Sequence, residues 1–372
     1  MISFELNEEQ TMIRDSLRAF AAEVLAPGAR AIDEAGEMPD DILKQGWDFG
    51  LIAASIPEAY GGGGGGGGRS CMTNAVALEA LGGGCTSQAA AIMAPGQVVN
   101  ALIDFGTEEQ KAEHLPKFAG ETPVAAAMAV QESQFGFAAE AQRTIATRKG
   151  NGWLLSGEKR LVPLGDRAET FLVLAREEGG AGLGAVQAFL VPRDAPGLTV
   201  SAESGTQGLK PLPKASLKLD AVELPGSARL GGDAGINAAR LLSQARVGAA
   251  ALAVGLSRQA TDFAIPYAKE RVAFGEPIGK KQSIAFMLAD MHIECETMRW
   301  MVWKAASLLE HDDPGAVKAS VLAQDYVRRK SVKIADDALQ IFGGHGFIRD
   351  LPLELWLRNV RTLTVFDGPV SV

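Results

Sequence analysis

The stretch Gln340-Ile341-Phe342-Gly343-Gly344-His345-Gly346 marks the end of a long helical segment and is the point from which the fold can be worked out. The paired glycines after Phe342 predict a helix end, because glycine accepts the left-handed conformation found there. Upstream, Asp313-Pro314 predicts the start of the same helix as an N-cap and first-turn pair. The helical period extends back to about residue 235, so residues 231–372 are predicted to form a domain of about four helices.

One helix of this region carries an apolar stripe at helical spacing. Its members are Ile284, Met287, Met291, Cys295, Met298 and Val302. A stripe of this kind is typical of a helix face buried in a core, and we interpret it so rather than as a cofactor site.

The middle of the chain has a different texture, with short apolar or alternating runs separated by glycine and proline turns. Strands are predicted at 124–130, 144–148, 153–156, 170–175, 186–191, 198–202 and 216–222. Strands without intervening helices favour a sandwich or barrel over a parallel βαβ sheet. No Gly-x-Gly-x-x-Gly follows a strand, so a Rossmann-type cofactor site is not indicated. We assign residues 122–230 to this β domain.

The first third, residues 1–121, predicts an all-α domain. Asn7 and Gln10 have the spacing of a capping box, and Pro27-Gly28 is predicted to end the first helix. Further helices are predicted at 42–51, 73–81 and 108–118. Eight glycines at 61–68 are interpreted as a flexible surface loop, because a phosphate-binding loop would end in Gly-Lys-Ser/Thr.

The overall composition excludes several functional classes. The 372 residues are 47% hydrophobic with a formal net charge of -9, which favours a folded protein and disfavours a nucleic-acid binder, although a local basic patch for phosphates is compatible with it. Three widely spaced cysteines favour a reducing cytoplasm. We expect neither a signal peptide nor a membrane span. The four histidines are scattered, so neither a zinc site nor a Ser-His-Asp triad is indicated.

The α-β-α order, together with several local strings, resembles the acyl-CoA dehydrogenase family over nearly the whole chain. The strings are IPEAYGG at 56–62, FGTEEQK at 105–111, LSGEK at 155–159, AKERVAFG at 268–275, QSIAFMLADM at 282–291 and QIFGGHG at 340–346. The resemblance implies an α+β fold with an N-terminal helical domain, a middle β-barrel or sandwich and a C-terminal four-helix bundle. It also implies an oligomer, usually a tetramer, that holds FAD between the β domain and the C-terminal helices.

The resemblance assigns cofactor contacts residue by residue. Arg271 falls where the family's arginine approaches the FAD pyrophosphate of a neighbouring subunit, a role that suits a guanidinium fork. Without the resemblance, Arg271 reads as a solvated charge at a helix end. The full set of expected FAD contacts is Val130, Gln131, Arg271, Phe274, Gln282, Gln340, Gly343 and Gly344.

The resemblance also supplies the catalytic candidates. Asp367-Gly368 falls where the family carries a glutamate-glycine pair, and Arg246 matches its active-site arginine. The implied chemistry is removal of the thioester's α proton by Asp367 while flavin N5 takes the β hydride, with the backbone N–H at the base and a ribityl hydroxyl binding the carbonyl oxygen. From the residues alone, an acid before Gly-Pro is most often part of a turn.

Two segments depart from the family pattern. Phe137 replaces a serine that serves flavin and CoA, Leu161 replaces an aromatic wall, and Pro163 replaces a threonine and removes a backbone donor. Three hypotheses therefore stay open: an acyl-CoA dehydrogenase that passes electrons to an electron-transferring flavoprotein, a flavin-deficient partner subunit of a heteromeric enzyme, or a flavin oxidase or monooxygenase.

Overall fold

The helical N-terminal region begins as the sequence predicts. The computed structural model describes residues 5–64, 69–134 and 137–372. Helix α1 (Glu8–Phe20) starts with the expected capping box: the Gln10 N–H donates to Asn7 Oδ1 at 2.8 Å, and the Asn7 N–H donates to Gln10 Oε1 at 3.2 Å.

The predicted helix end at Pro27-Gly28 is wrong. A π-helical turn at Ala21–Leu25 leads directly into α2 (Ala26–Ala35), and the helical segment ends only at Gly36, with φ 71°. The wider π turn interrupts the regular hydrogen-bond ladder just before Pro27, so the missing N–H of that proline falls where the ladder is already broken.

Six further helices complete this region. They are α3 (Asp40–Asp48), α4 (Leu51–Ser55), α5 (Cys71–Gly82), α6 (Thr86–Met93), α7 (Gly96–Phe105) and α8 (Glu108–Phe118). The predicted helix at 42–51 is two helices, because Gly50 adopts φ 68°. Helices α6 and α7 were not predicted. α6 is buried all round and has no polar face to reveal its period, whereas the polar side chains Gln97 and Asn100 of α7 are buried in hydrogen bonds to Pro369 and Ser371. Of the predicted glycine loop at 61–68, residues 65–68 lie outside the described residues.

The middle region forms a seven-stranded sheet. Its strands are β1 (Ala126–Ala129), β2 (Ile145–Lys149), β3 (Gly152–Pro163), β4 (Thr170–Glu177), β5 (Val186–Pro192), β6 (Leu198–Ala202) and β7 (Lys214–Leu224). The order is β1-β4-β2-β3-β7-β6, and β5 pairs with β4. β1 and β2 run parallel to β4, whereas the other pairs are antiparallel. β3 is longer than predicted, because a register shift between Leu155 and Gly157 lets it continue through the charged residues that follow.

The C-terminal region consists of long helices. They are α9 (Ala238–Glu270), α10 (Gln282–Glu310), α11 (Ala316–Phe342) and α12 (Leu353–Leu363), with a short hairpin of β8 (Val272–Ala273) and β9 (Glu276–Pro277) between α9 and α10. α11 begins two residues after Pro314, because Asp313 Oδ1 accepts from the Gly315 N–H in a turn before the helix. It ends at Phe342 as predicted, and Met291, Cys295, Met298 and Val302 of the apolar stripe are buried.

Helix α9 joins the parts of the molecule. It approaches α5 so closely that a Cβ on Gly255 would lie 2.0 Å from the Glu79 carbonyl oxygen. Near its N-terminal end, Leu241, Leu242 and Ala245 pack in one core with Val130 beyond the end of β1. The junction between the sheet and the helices is therefore built on the first turns of α9.

Candidate active site at the junction of the sheet and the helices

Asp367 stands on a turn that its neighbours fix in place. Phe366 is 1% exposed, and Gly368 adopts φ 74°. A Cβ on Gly368 would lie 3.0 Å from Val130 Cγ2, so the turn rests against the end of the β1 segment. Glycine relieves both the backbone strain and this contact, and the acid is held at the junction.

The side chain of Asp367 lines a cavity of about 240 Å³. Val130 and Phe137 line it from the β domain, Arg246 lines it from α9, and Arg328 lines it from α11. The cavity thus lies between the β domain and the C-terminal helices, the junction at which the resemblance implies a site.

The direct partner of Asp367 is Arg328. Its Nη2 donates to Asp367 Oδ1 at 2.7 Å, with the two side chains 34% and 37% exposed. Arg328 was not predicted as a site residue, because it stands in the run Arg328-Arg329-Lys330, which is typical of the solvated face of an amphipathic helix. Only the packing of α11 against the turn after α12 reveals its role.

Arg246 lies on the same cavity but acts differently. No salt bridge joins it to a carboxylate in the part of the chain that the structure describes. Burial lowers the pKa of Arg246, while the negative charges of Asp367 and Glu140 oppose that shift. Its charge therefore reaches Asp367 through space rather than through a hydrogen bond.

The side chain of Gln131 accepts a hydrogen bond from the backbone N–H of Asp367. The Asp367 N–H donates to Gln131 Oε1 at 3.2 Å. The Nε2 of Gln131 makes no hydrogen bond to any described residue, so its two N–H groups are available to a ligand. The structure thus brings together Val130, Gln131, Arg246 and Asp367 from the sequence hypotheses.

A buried ion pair anchors the segment that carries Val130 and Gln131. Lys159 Nζ donates to Val130 O at 3.2 Å, to Glu132 Oε1 at 2.8 Å and to Gln142 Oε1 at 2.8 Å. Burial alone would raise the pKa of Glu132, but Lys159 and hydrogen bonds from the backbone outweigh it and hold that pKa at about 2. Burial lowers the pKa of Lys159 to about 8.

Leu161 and Pro163, which depart from the family pattern, have their backbones held within the β domain. Leu161 has φ 52°, and its N–H donates to Glu203 Oε2 at 2.5 Å. Pro163 is buried and ends β3. Neither residue offers a hydrogen-bond donor to a ligand, whereas the Nε2 of Gln131 does.

The other expected cofactor residues lie elsewhere. Arg271, Phe274, Gln282, Gln340, Gly343 and Gly344 all stand at the far end of the helical bundle. Tyr267 near the end of α9 stacks on Phe342 at the end of α11, with ring centroids 3.8 Å apart. From Arg246 to Arg271 the helix rise alone amounts to about 37 Å. Within one chain, these six residues therefore lie too far from the cavity beside Asp367 to contact the same part of a ligand.

This distal set has the properties of a dinucleotide cradle. Arg271, Gln282 and Gln340 are exposed, and Phe274 is 97% exposed. A Cβ on Gly343 or Gly344 would meet no atom within 4 Å, so the backbone is open to close approach by a ligand. An exposed guanidinium, two amides and bare glycine backbone fit a pyrophosphate and its neighbouring groups, and the amide of Gln131 fits a polar group of a flavin. The residues present are therefore compatible with FAD.

The described residues give no indication of a metal site or a membrane span. No group of three or more His, Cys, Asp or Glu side chains among them is placed to hold a metal ion. No helix in residues 5–64, 69–134 and 137–372 is long and apolar enough to cross a membrane.

Three family models match the chain in succession. They are the acyl-CoA dehydrogenase N-terminal domain at residues 7–122, the middle domain at 127–222 and the C-terminal domain at 234–372. The probable acyl-CoA dehydrogenase YngJ of Bacillus subtilis (strain 168) is 33% identical over 376 residues, which cover 100% of this chain and 97% of the relative.

Solved structures are similar over the same length. Butyryl-CoA dehydrogenase from Megasphaera elsdenii has a TM-score of 0.89 and 28% identity, covering 99% of this chain and 96% of that chain. A chain in a structure of the electron transferring flavoprotein of Acidaminococcus fermentans has a TM-score of 0.88 and 31% identity, with the same coverage.

Proposed function

The chain belongs to the acyl-CoA dehydrogenase family, and we propose that it dehydrogenates an acyl-CoA thioester between the α and β carbons with Asp367 as the base. It is an oxidoreductase, and FAD is its cofactor. One observation carries the assignment of the base: the carboxylate of Asp367 faces a 240 Å³ cavity at the junction of the β domain and the helices.

The proton transfer requires a carboxylate in contact with the α carbon. The thioester carbonyl acidifies the α C–H bond, and Asp367 accepts that proton. Aspartate is one methylene shorter than glutamate, so its reach depends on the position of the turn that Phe366 and Gly368 fix. When bound, FAD supplies the acceptor for the hydride that leaves the β carbon.

The carbonyl oxygen needs a hydrogen-bond donor as its negative charge grows. The Asp367 N–H is the donor nearest the base, and in this structure Gln131 Oε1 holds it. We propose that the substrate carbonyl takes the place of Gln131 at this N–H. That exchange would free the carboxamide of Gln131, whose amide nitrogen would be able to donate a hydrogen bond to the flavin when FAD is bound.

Two arginines lie beside Asp367. Arg328 donates a hydrogen bond to the carboxylate and so fixes its orientation, and Arg246 lines the same cavity. We assign Arg246 as an electrostatic partner of the base.

We propose that a complete FAD site needs a second copy of the chain. The set at the distal end of the bundle, with Arg271 and Gln340, lies too far along α9 from Gln131 to serve the same cavity. Exposed apolar side chains on α10 and α11 support an oligomer, namely Phe286 at 60%, Ile293 at 59%, Val321 at 43% and Leu322 at 52% exposure. We propose a homodimer or homotetramer in which the distal set of one chain binds FAD beside the cavity of another.

Three further assignments complete the proposal. Electrons leave to an electron-transferring flavoprotein, as the resemblance implies. The three cysteines of the chain are free and buried, which supports a cytoplasmic location. The division at residues 121/122 and 230/231 stays a prediction, supported by the limits of the three family matches.

An anaerobic titration tests the function. The protein purified alone should be yellow, and a panel of acyl-CoA thioesters should bleach its flavin absorbance. A colourless protein that copurifies with a homologue would instead support the flavin-deficient subunit. Rapid oxygen consumption without another electron acceptor would support an oxidase or monooxygenase.

A further inference from the structure

The cavity beside Asp367 contains two arginines, but only one of them is paired with the carboxylate of Asp367. Arg246 and Arg328 both line it, and a single carboxylate, that of Asp367, is in direct contact with a guanidinium there. Glu140 also lines the cavity but is exposed, so water screens its charge. The enclosed part of the site is therefore cationic.

Arg328 has hydrogen-bonding capacity to spare. A guanidinium carries five N–H donors, and Arg328 uses its Nη2 on Asp367 Oδ1. Its side chain is 34% exposed and reaches the cavity. A second carboxylate can therefore bind the same guanidinium while the first stays in contact with it.

Little apolar room lies behind Arg328. The space between α9, α11 and α12, bounded by Ala250, Val327 and Leu363, amounts to about 10 Å³. That is roughly the space of one water-sized probe, so it does not admit an alkyl chain.

The space on the other side of the turn is filled by the chain itself. Gln97 Nε2 donates to the Pro369 carbonyl at 2.9 Å, and Asn100 Nδ2 donates to Ser371 Oγ at 3.0 Å. Val370 is fully buried. This segment packs between α7 and α9 and closes that side of the turn to an acyl group.

From these observations we infer that the acyl group of the substrate is short and ends in a second carboxylate, which binds Arg328. The inference rests on the proposed function, since it takes the thioester's α carbon to lie at Asp367. A carboxylate two or three carbons beyond the α carbon can then reach the guanidinium next to Asp367. The guanidinium would bridge the base and the substrate, which fixes the α carbon against the base, and the same charge opposes a cationic acyl group.

Glutaryl-CoA and pentanoyl-CoA form a matched pair for the test, since the acyl chains have the same number of carbons and differ in the terminal carboxylate. We expect kcat/KM for glutaryl-CoA to exceed that for pentanoyl-CoA by about tenfold or more, the size of one charge-assisted hydrogen bond. Arg328→Met should lower this ratio about tenfold or more, and Arg328→Lys should restore part of it. Arg329→Met is the control, because Arg329 is exposed and pairs with Asp325 on the same helix, and it should leave the ratio unchanged.

Equilibrium binding gives a readout without turnover. In Asp367→Asn, calorimetry should show a lower Kd for glutaryl-CoA than for pentanoyl-CoA, again by about tenfold. Equal or reversed affinities, or a ratio that Arg328→Met does not change, would overturn the inference while leaving the dehydrogenase function intact. If no thioester reduces the flavin of the wild-type protein, the proposed function itself fails.

Discussion

At the scale of single residues, the sequence was enough to predict Asp367 as the base but not to predict the residue that pairs with it. Its position before Gly368 was predictable from the family pattern, and the structure gives the turn a physical basis in the burial of Phe366 and the φ of 74° at Gly368. Its partner was not predictable. Arg328 lies 39 positions away on another helix, and no local pattern relates the two. Long-range pairs of this kind depend on how helices pack, which a single sequence does not encode locally.

Gly368→Ala separates backbone strain from steric contact. Alanine at φ 74° should destabilise the protein by about 1 kcal/mol, and its Cβ would also push against Val130 at 3.0 Å and displace the base. We expect both a lower midpoint of urea unfolding and a slower reductive half-reaction by about tenfold or more. Gly150→Ala is the control, because Gly150 has φ 58° with no atom near its Cβ. It should lower stability alone; equal rate losses in both variants would show that the contact with Val130 is unimportant.

At the scale of elements, a buried ion pair holds Val130 to Glu132, the residues that follow β1, against the sheet. Lys159 on β3 binds the Val130 carbonyl and Glu132, so the segment that supplies Val130 and Gln131 to the site is tied to the sheet. The sequence placed Lys159 in a matching string but gave it no role. A lysine in an alternating strand ordinarily points to solvent, and only the register of β3 shows that this one is buried.

The Glu132–Lys159 pair predicts an acid limit of stability. The pKa of Glu132 is held at about 2, below its ordinary 4.5, so its contribution is fully present above pH 4.5 and is lost as pH falls towards 2. The shift corresponds to about 3 kcal/mol. Urea unfolding should therefore show a large loss of stability between about pH 5 and pH 2, and Glu132→Gln should show a smaller one.

Glu9→Gln, a change to an exposed acid on α1, serves as the control for that series and should follow the wild type. Glu132→Gln should also be less stable at pH 6 by about 3 kcal/mol, because Lys159 is left buried without its partner. An unchanged pH dependence in Glu132→Gln would show that the pair does not govern acid stability.

Arg271, which precedes the hairpin after α9, is expected to contribute to the affinity for FAD. Arg271→Met removes the exposed guanidinium of the distal set and should raise the Kd for FAD by about tenfold or more. Fluorescence titration of the FAD-free protein measures this directly. Lys269→Met removes an exposed charge two residues away and should leave the affinity near that of the wild type. Equal affinity in the two variants would remove Arg271 from the site.

At the scale of the whole molecule, the sequence was enough to predict the order of the helical and β regions, but not every element within them. The order of helices, sheet and helices followed from a change of period from helical to alternating and back, and each of the seven predicted strands overlaps a strand of the sheet. The errors have local causes. α6 is buried on all sides and lacks an amphipathic signal, the polar side chains Gln97 and Asn100 of α7 are buried, and a π turn carries the first helical segment through Pro27. The separation of the two cofactor sets along α9 depends on tertiary structure and could not be read from either set alone.

The proposed oligomer predicts that apolar residues of α10 are needed for the FAD site. The double variant Phe286→Lys and Ile293→Lys places two charges on one exposed helix face and should shift the protein to a smaller assembly in analytical ultracentrifugation. FAD should be lost with the assembly, because each site takes residues from two chains. Met12→Lys, which changes an exposed apolar residue of α1 at 64% exposure, should alter neither property. A dissociated double variant that still binds FAD tightly would show that one chain suffices.

The most direct measurement of the central claim is anaerobic rapid mixing of Asp367→Asn with an acyl-CoA that reduces the wild-type flavin. An amide cannot accept the α proton, so we expect the variant to keep its FAD and to reduce it about a thousandfold more slowly. Asp350→Asn, a change to an exposed acid before α12, should match the wild type. Flavin reduction at the wild-type rate in Asp367→Asn would contradict the account, because the base would then lie elsewhere.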